Sequence, residues 1–399
     1  MARRGRIQAD TVVFWAKSRY RCGEAQLLEA REQSRRRELK GVHRLTFVVR
    51  AQPSPERKAL LFVPGAAPAA SFVSADRDAL AARVRLVEIA PRPGLGQVQF
   101  AAALARALAR ERPARAVVWF AAATYGAATL AACRLARVPC LVIAGGMDVA
   151  SCPEIGFGEA RGGWRRTASR WTLEAAALIW AFSESARREI LLRASPQAIA
   201  VVPPAVDTAY FQTPDARPRE RLVVSTCAAI SPLTIVQKGL DRLVAAARHA
   251  PDIQVVVTGR ADAGAAPVRA FVSDAPANVT FAGHLSREAL RALYARAAAV
   301  AQLSRHEGFG VAAVEALAMR CAVVTSALPA FDEVVGGPGH HRVVDDASPE
   351  AVAAVLRAAI DAPPAPSRWA EVDRLYGGAA RVAAWDRWLA DEGLAAPPP

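Results

Sequence analysis

The sequence predicts an α/β protein made of two successive doubly wound parallel sheets, and three observations carry that expectation. Short apolar runs rich in Val, Ile and Leu recur along the chain. Helical patterns long enough for a crossover separate them, and the alternation stops at a double proline and then restarts. With 399 residues, 53% of them hydrophobic, there is enough chain and enough apolar side chain for two cores.

Residues 1–43 show no sustained period and hold 11 basic and 5 acidic side chains, so they read as a flexible basic extension. The first unit is expected over 44–203. Residues 59–63 read as a buried strand ending at Pro64-Gly65, and 86–90 as another. Phe100, Leu104 and Leu108 share one face of a helix that Pro113 ends. A strand at 116–120, a helix near 127–136 and a strand at 140–144 follow, the last stopping at Gly145-Gly146. A strand over 177–182 leads into Ser183-Glu-Ser185, where a serine can cap the next helix. Residues 199–202 run into Pro203-Pro204, which cannot continue a ladder, and the linker is placed there.

The second unit, 204–376, repeats the pattern. Strands are expected at 222–226, 253–258, 279–282, 300–303 and 322–325, with helices at 240–247, 287–296 and 311–319. Trp385 and Trp388, three apart, mark a final helix in a 377–399 tail that returns to the first unit.

Composition narrows the function classes. No apolar run approaches the roughly 20 residues that cross a bilayer, and the apolar stretch after the basic start is too short for a signal segment, so a cytoplasmic protein is expected. Six cysteines without a Cys-x-x-Cys pair read as reduced thiols. The formal charge of +14 suits an anionic partner, but only four of the 51 basic residues are lysine and no nucleic-acid-binding motif accompanies them. Nucleic acid is therefore not an expected partner. Arg161-Gly-Gly-Trp164-Arg165-Arg166 through Arg170-Trp171 interleaves arginine with tryptophan. That segment either meets lipid headgroups or an anionic acceptor, or packs as a surface helix.

The segment His306-Glu307-Gly308-Phe309-Gly310 followed by a helical pattern carrying Glu315 is the most informative. A strand end, two glycines and a helix start leave backbone N–H groups free for a phosphate. A carboxylate there is repelled by phosphate, and its natural partners are neutral hydroxyls of a sugar. Asp76-Arg77-Asp78 has the form of a metal motif, but reads as a pair of capping aspartates at a helix start. Gly94-Leu-Gly96 lacks the third glycine of a dinucleotide fingerprint, and His340-His341 reads as an exposed loop.

Glu307 and Glu315, with seven residues between them, resemble the E-x7-E signature of the family 4 (group 1) glycosyltransferases, which have the GT-B fold. The flanks are similar too: Val279-Thr-Phe-Ala-Gly283, Ala322-Val-Val-Thr-Ser326 with Glu333, and Pro204-Ala-Val-Asp207 with Phe211. The resemblance implies two Rossmann-like domains facing a cleft. It implies a retaining transfer from a nucleotide-sugar donor to a saccharide or lipid-linked acceptor in glycan, polysaccharide or glycolipid synthesis, with no metal and no cofactor. It further implies Glu307 on the sugar, Glu315 on the ribose, and Lys238 with Gly308, Phe309 and Gly310 on the diphosphate. Gly65 occupies the place of the glycine loop, and the family's usual arginine before the lysine is missing, which leaves Arg260 as a substitute. Asp148, after Gly145-Gly146, is either a contact to the transferred sugar or acceptor, or an ordinary cap. A nucleotide-sugar epimerase and a non-catalytic subunit of the same fold are the rival readings, and peripheral contact with an anionic inner membrane face is a further expectation.

Overall fold

A computed structural model describes residues 48–50, 58–65, 70–90, 96–213, 219–362 and 367–394. The expectations for residues 1–43 and for Gly94 lie outside the described residues.

The described residues form two sheets. The first contains β1 (Val48–Arg50), β2 (Ala59–Val63), β3 (Arg85–Glu88), β4 (Arg115–Trp119), β5 (Cys140–Ala144), β6 (Leu178–Ala181) and β7 (Ile199–Val201) in the spatial order β1-β3-β2-β4-β5-β6-β7. Only β1 is antiparallel to its neighbour. Strands β2 and β5 are buried at every position, as expected of central strands covered on both faces. The helices are α1 (Ser71–Ala81), α2 (Gln97–Glu111), α3 (Tyr125–Leu135), α4 (Gly163–Ala175) and α5 (Glu184–Leu191). Helix α2 buries Phe100, Leu104 and Leu108 and ends at Arg112 in the left-handed region, just before Pro113. Ser183 caps α5 by accepting from the Ala186 N–H at 3.0 Å.

The second sheet has the order β10-β9-β8-β11-β12-β13, all parallel. Its strands are β8 (Glu220–Ile230), β9 (Gln254–Ala261), β10 (Val279–Gly283), β11 (Ala297–Gln302), β12 (Ala322–Ser326) and β13 (His340–Val343). Its helices are α6 (Pro232–Gln237), α7 (Leu240–Ala247), α8 (Ala266–Ser273), α9 (Arg287–Arg296), α10 (Val311–Ala318), α11 (Pro329–Val335), α12 (Pro349–Asp361), α13 (Trp369–Tyr376) and α14 (Gly378–Asp391). His340-His341 is therefore not a loop: both residues lie in β13, and the His340 ring nitrogen Nε2 is 2.7 Å from the Thr325 hydroxyl of β12.

Helix α14 lies against the first sheet. Trp385 packs on Trp180 with ring centroids 4.4 Å apart, and Arg381 meets Asp76 through two hydrogen bonds of 2.8 and 2.6 Å. Trp385 Nε1 donates to the same carboxylate, and Arg381 also reaches the carbonyls of Val202 and Pro203. Asp76 is thus neither a helix cap nor a metal ligand. It sits inside α1 as the buried partner of an arginine on the returning helix.

Strand order decides where ligands enter. In an open parallel sheet the crevice forms at the carboxyl ends of the two strands between which the winding reverses. In the second sheet these are β8 and β11; in the first they are β2 and β4.

Candidate active site

The loops after β8 and β11 carry the expected donor residues. Ser231 and Thr234 form a reciprocal capping box at the start of α6, which fixes this short helix at the end of β8. Lys238 closes it. The chain then turns at Gly239, φ +65°, and passes so close to the Leu303 carbonyl that a Cβ there would collide with it. The loop after β11 runs alongside: Arg305 N–H donates to the Gln237 carbonyl at 2.9 Å, and Gln237 Nε2 donates to the His306 carbonyl at 2.9 Å. Held in this register, Lys238 Nζ meets Glu307 Oε2 at 2.7 Å, with the two side chains 27% and 16% exposed. The missing arginine of the phosphate site is not supplied by Arg305, which is bound to both carboxylate oxygens of Asp241.

Past Glu307, Gly308, Phe309 and Gly310 are buried, and Gly310 caps α10. No described residue accepts a hydrogen bond from the amides of Gly308, Phe309 or Gly310. The Phe309 ring packs edge-on against Tyr376 at 5.1 Å. Glu315 lies one turn further into α10. Burial pushes its carboxyl up to about 8; the Arg287 charge pulls it down and Asp207 pushes it up. Arg287 and Asp207 are themselves paired at 2.5 Å, so the positive charge nearest Glu315 is already shared.

The first domain contributes the facing surface. Gly65, after β2, packs beneath the Phe120 ring and the Tyr125 hydroxyl, on the floor of the β2/β4 crevice. Phe120 has φ +71°, an unusual value for a bulky side chain and therefore a strained turn. The residue that secures this turn is Asp148. Its carboxylate accepts from the Ala121 N–H at 3.0 Å, from Gly146 N–H at 2.8 Å and from Gly145 N–H at 3.4 Å. At 2% exposure, with burial raising its pKa and these amides opposing the rise, Asp148 is turned inward. The expectation of a sugar or acceptor contact is corrected here: the carboxylate ties the loop after β5 to the loop after β4. That inner loop then reaches the donor side, where a Cβ on Gly308 would collide with the Gly145 carbonyl.

Comparison with known proteins bears directly on this geometry. Residues 231–375 match the family described as glycosyl transferases group 1, and residues 26–205 match the glycosyl transferase 4-like domain. The chain belongs to the group 1, family 4 glycosyltransferases of the GT-B fold. Among curated relatives it is 33% identical over 175 residues to the MMP alpha-(1->4)-mannosyltransferase of Mycolicibacterium hassiacum, a match covering 42% of this chain and 41% of that enzyme. Among solved structures, HepE of Anabaena in complex with UDP and glucose aligns with TM-score 0.65 at 15% identity, covering 84% of this chain and all of that one. Sucrose-phosphate synthase of Thermosynechococcus elongatus aligns with TM-score 0.67 at 17% identity, covering 84% of this chain and 99% of that one.

Within this GT-B frame, the structure brings together Lys238, Glu307, Gly308, Phe309 and Gly310 at the β8/β11 crevice, with Glu315 on the helix that follows. Arg260 stands apart. It is exposed at the end of β9, opposite Ala229, and its side chain has no hydrogen-bond partner among the described residues. The neighbouring Gly259 touches Cys227, whose thiol is pushed up to about 11 by burial and feels the Lys238 charge. Sequence reasoning missed Gln237 and read Ser183 only as a helix cap, because the His306 and Gly308 carbonyls that they reach are distant in sequence. Among the described residues no group of three or more His, Cys, Asp or Glu has the arrangement of a metal site, and no helix is long and apolar enough to cross a membrane.

Proposed function

We propose that the chain transfers a sugar, with retention and without a metal, from a nucleoside-diphosphate sugar to an acceptor hydroxyl. The observation that carries this reading is the Lys238–Glu307 pair at the β8/β11 switch point. An ammonium has three donors, and one bond to Glu307 leaves two for a diphosphate. The unpartnered amides at 308–310 add neutral donors beside it. Glu307, fixed by Lys238, accepts from hydroxyls of the transferred sugar, and Glu315 accepts from the ribose.

In this reading the bond between the anomeric carbon and the diphosphate oxygen breaks, and its electron pair leaves with the diphosphate. The acceptor oxygen bonds to the anomeric carbon on the same face, and its proton passes to a departing diphosphate oxygen. Lys238 and the 308–310 amides meet the charge that grows on the leaving group, where preorganised donors act most strongly. UDP in the HepE structure supports a nucleotide-sugar donor. The acceptor, a saccharide or a lipid-linked sugar, enters over the first domain. Helix α4, with Trp164 60% exposed and Arg165, Arg166 and Arg170 beside it, supports contact with an anionic membrane surface.

A thermal-shift panel of UDP, GDP, ADP and their sugars tests the reading. At least one nucleoside diphosphate should stabilise the protein equally in EDTA and in magnesium. A strict divalent requirement for binding and turnover contradicts the metal-independent mechanism.

A further inference from the structure

The donor loop is tied to the first domain, and a further contact joins the two domains beside it. Ser183, 1% exposed between β6 and α5, caps α5 and also donates to the Gly308 carbonyl at 2.8 Å. On the same helix, Glu189 places both carboxylate oxygens 3.2 Å from His306 Nε2. From the other side, Glu333 of α11 reaches across to the first amides of α5, accepting from Glu184 N–H at 2.6 Å and Ser185 N–H at 2.9 Å. A carboxylate at a helix N-terminus is favourably placed. Residues 306 and 308 are thus both anchored to the first domain, and Glu307 lies between them.

We infer that Ser183 is a positioning residue for the donor loop, which takes its diphosphate-binding shape only when the first domain is seated against it, and that Glu333 is the clasp for this closed arrangement. The physical link is the peptide plane. In a trans peptide the C=O and the following N–H point in opposite directions. Aiming the Gly308 carbonyl at Ser183 therefore aims the Phe309 N–H away from it, fixing one of the amides assigned to the diphosphate. The inference rests on the reading that this loop binds the diphosphate.

Three substitutions separate this role from simple helix capping. Ser183→Thr keeps the acceptor for the cap and the donor for Gly308. Ser183→Asp keeps the cap and loses the donor, and Ser183→Ala loses both. Transfer kcat should fall about fivefold to tenfold in the Asp and Ala variants, the scale for one lost hydrogen bond. The Thr variant should stay near wild type in both rate and melting temperature, which is the control against loss of the fold in the Asp and Ala variants. Glu333→Gln, whose contact lies at the surface, should lower kcat/KM about twofold to threefold with the fold intact. An Asp variant that turns over like wild type shows that Ser183 is only a cap and overturns the inference. A wild-type protein that neither binds nucleoside diphosphate nor turns over overturns the donor reading itself, and the inference with it.

Discussion

Lys238 and Glu307 are 69 residues apart in sequence and 2.7 Å apart in space, joined across the two strands that flank the switch point of the second sheet. The pair holds each partner in place before a ligand arrives. Lys238→Met removes the cation and leaves Glu307 unpaired beside a site for diphosphate. Free nucleoside diphosphate affinity should fall about tenfold to a hundredfold, the range for losing a charge-assisted hydrogen bond. Titration calorimetry checks this, and Lys238→Arg should recover part of the loss.

Glu315 gives the site a pH signature. Its folded pKa of about 8 lies above the ordinary 4.5, so the native state keeps a proton that the unfolded chain has released. This contribution to stability is therefore largest below about 4.5 and declines as pH rises towards about 8. Glu315→Gln should flatten that decline in unfolding curves between these values. If the ionised form is the ribose acceptor, nucleoside diphosphate affinity should rise about tenfold from pH 7 to pH 9 in wild type and stay level in the Gln variant.

Strand and helix alternation was legible because buried parallel strands are continuous apolar runs, as in residues 59–63 and 140–144. Strand β13 was not, since His340-His341-Arg342 is polar and edge-placed. The donor residues Glu307, Glu315 and Lys238 could be named from motif spacing. Their pairing could not, because it depends on strand order. Asp148 shows the limit most clearly. The sequence reveals an aspartate after two glycines at a strand end, but not whether its carboxylate faces the cleft or the amides beneath it.

The Asp76–Arg381 pair, 305 residues apart, was hidden for the same reason and should govern stability. Both side chains are buried, and removing one leaves the other charged and unpaired. Asp76→Ala should lower unfolding free energy by about 3–5 kcal/mol in denaturant titrations. Replacing both by apolar residues of similar size should restore much of the loss.

Helix α4 should give weak, salt-sensitive binding to anionic vesicles, since attraction between exposed charges is screened beyond about 8 Å at physiological salt. Trp164→Ala together with Arg165→Ala and Arg166→Ala should abolish it in flotation assays. Absence of wild-type binding even at low salt would assign the exposed arginines to surface packing alone.

The central claim is that Glu307 acts on the reacting sugar while the nucleotide is held elsewhere, and its most direct test is the initial rate of nucleoside diphosphate release by Glu307→Gln from the donor that the binding panel selects. Glutamine keeps the size of the side chain and removes the charged acceptor. The account predicts a rate lower by about 10²–10³, the scale for one preorganised electrostatic contact, in a protein whose affinity for the free nucleoside diphosphate is nearly unchanged. A Glu307→Gln enzyme that releases nucleoside diphosphate at the wild-type rate would contradict the account.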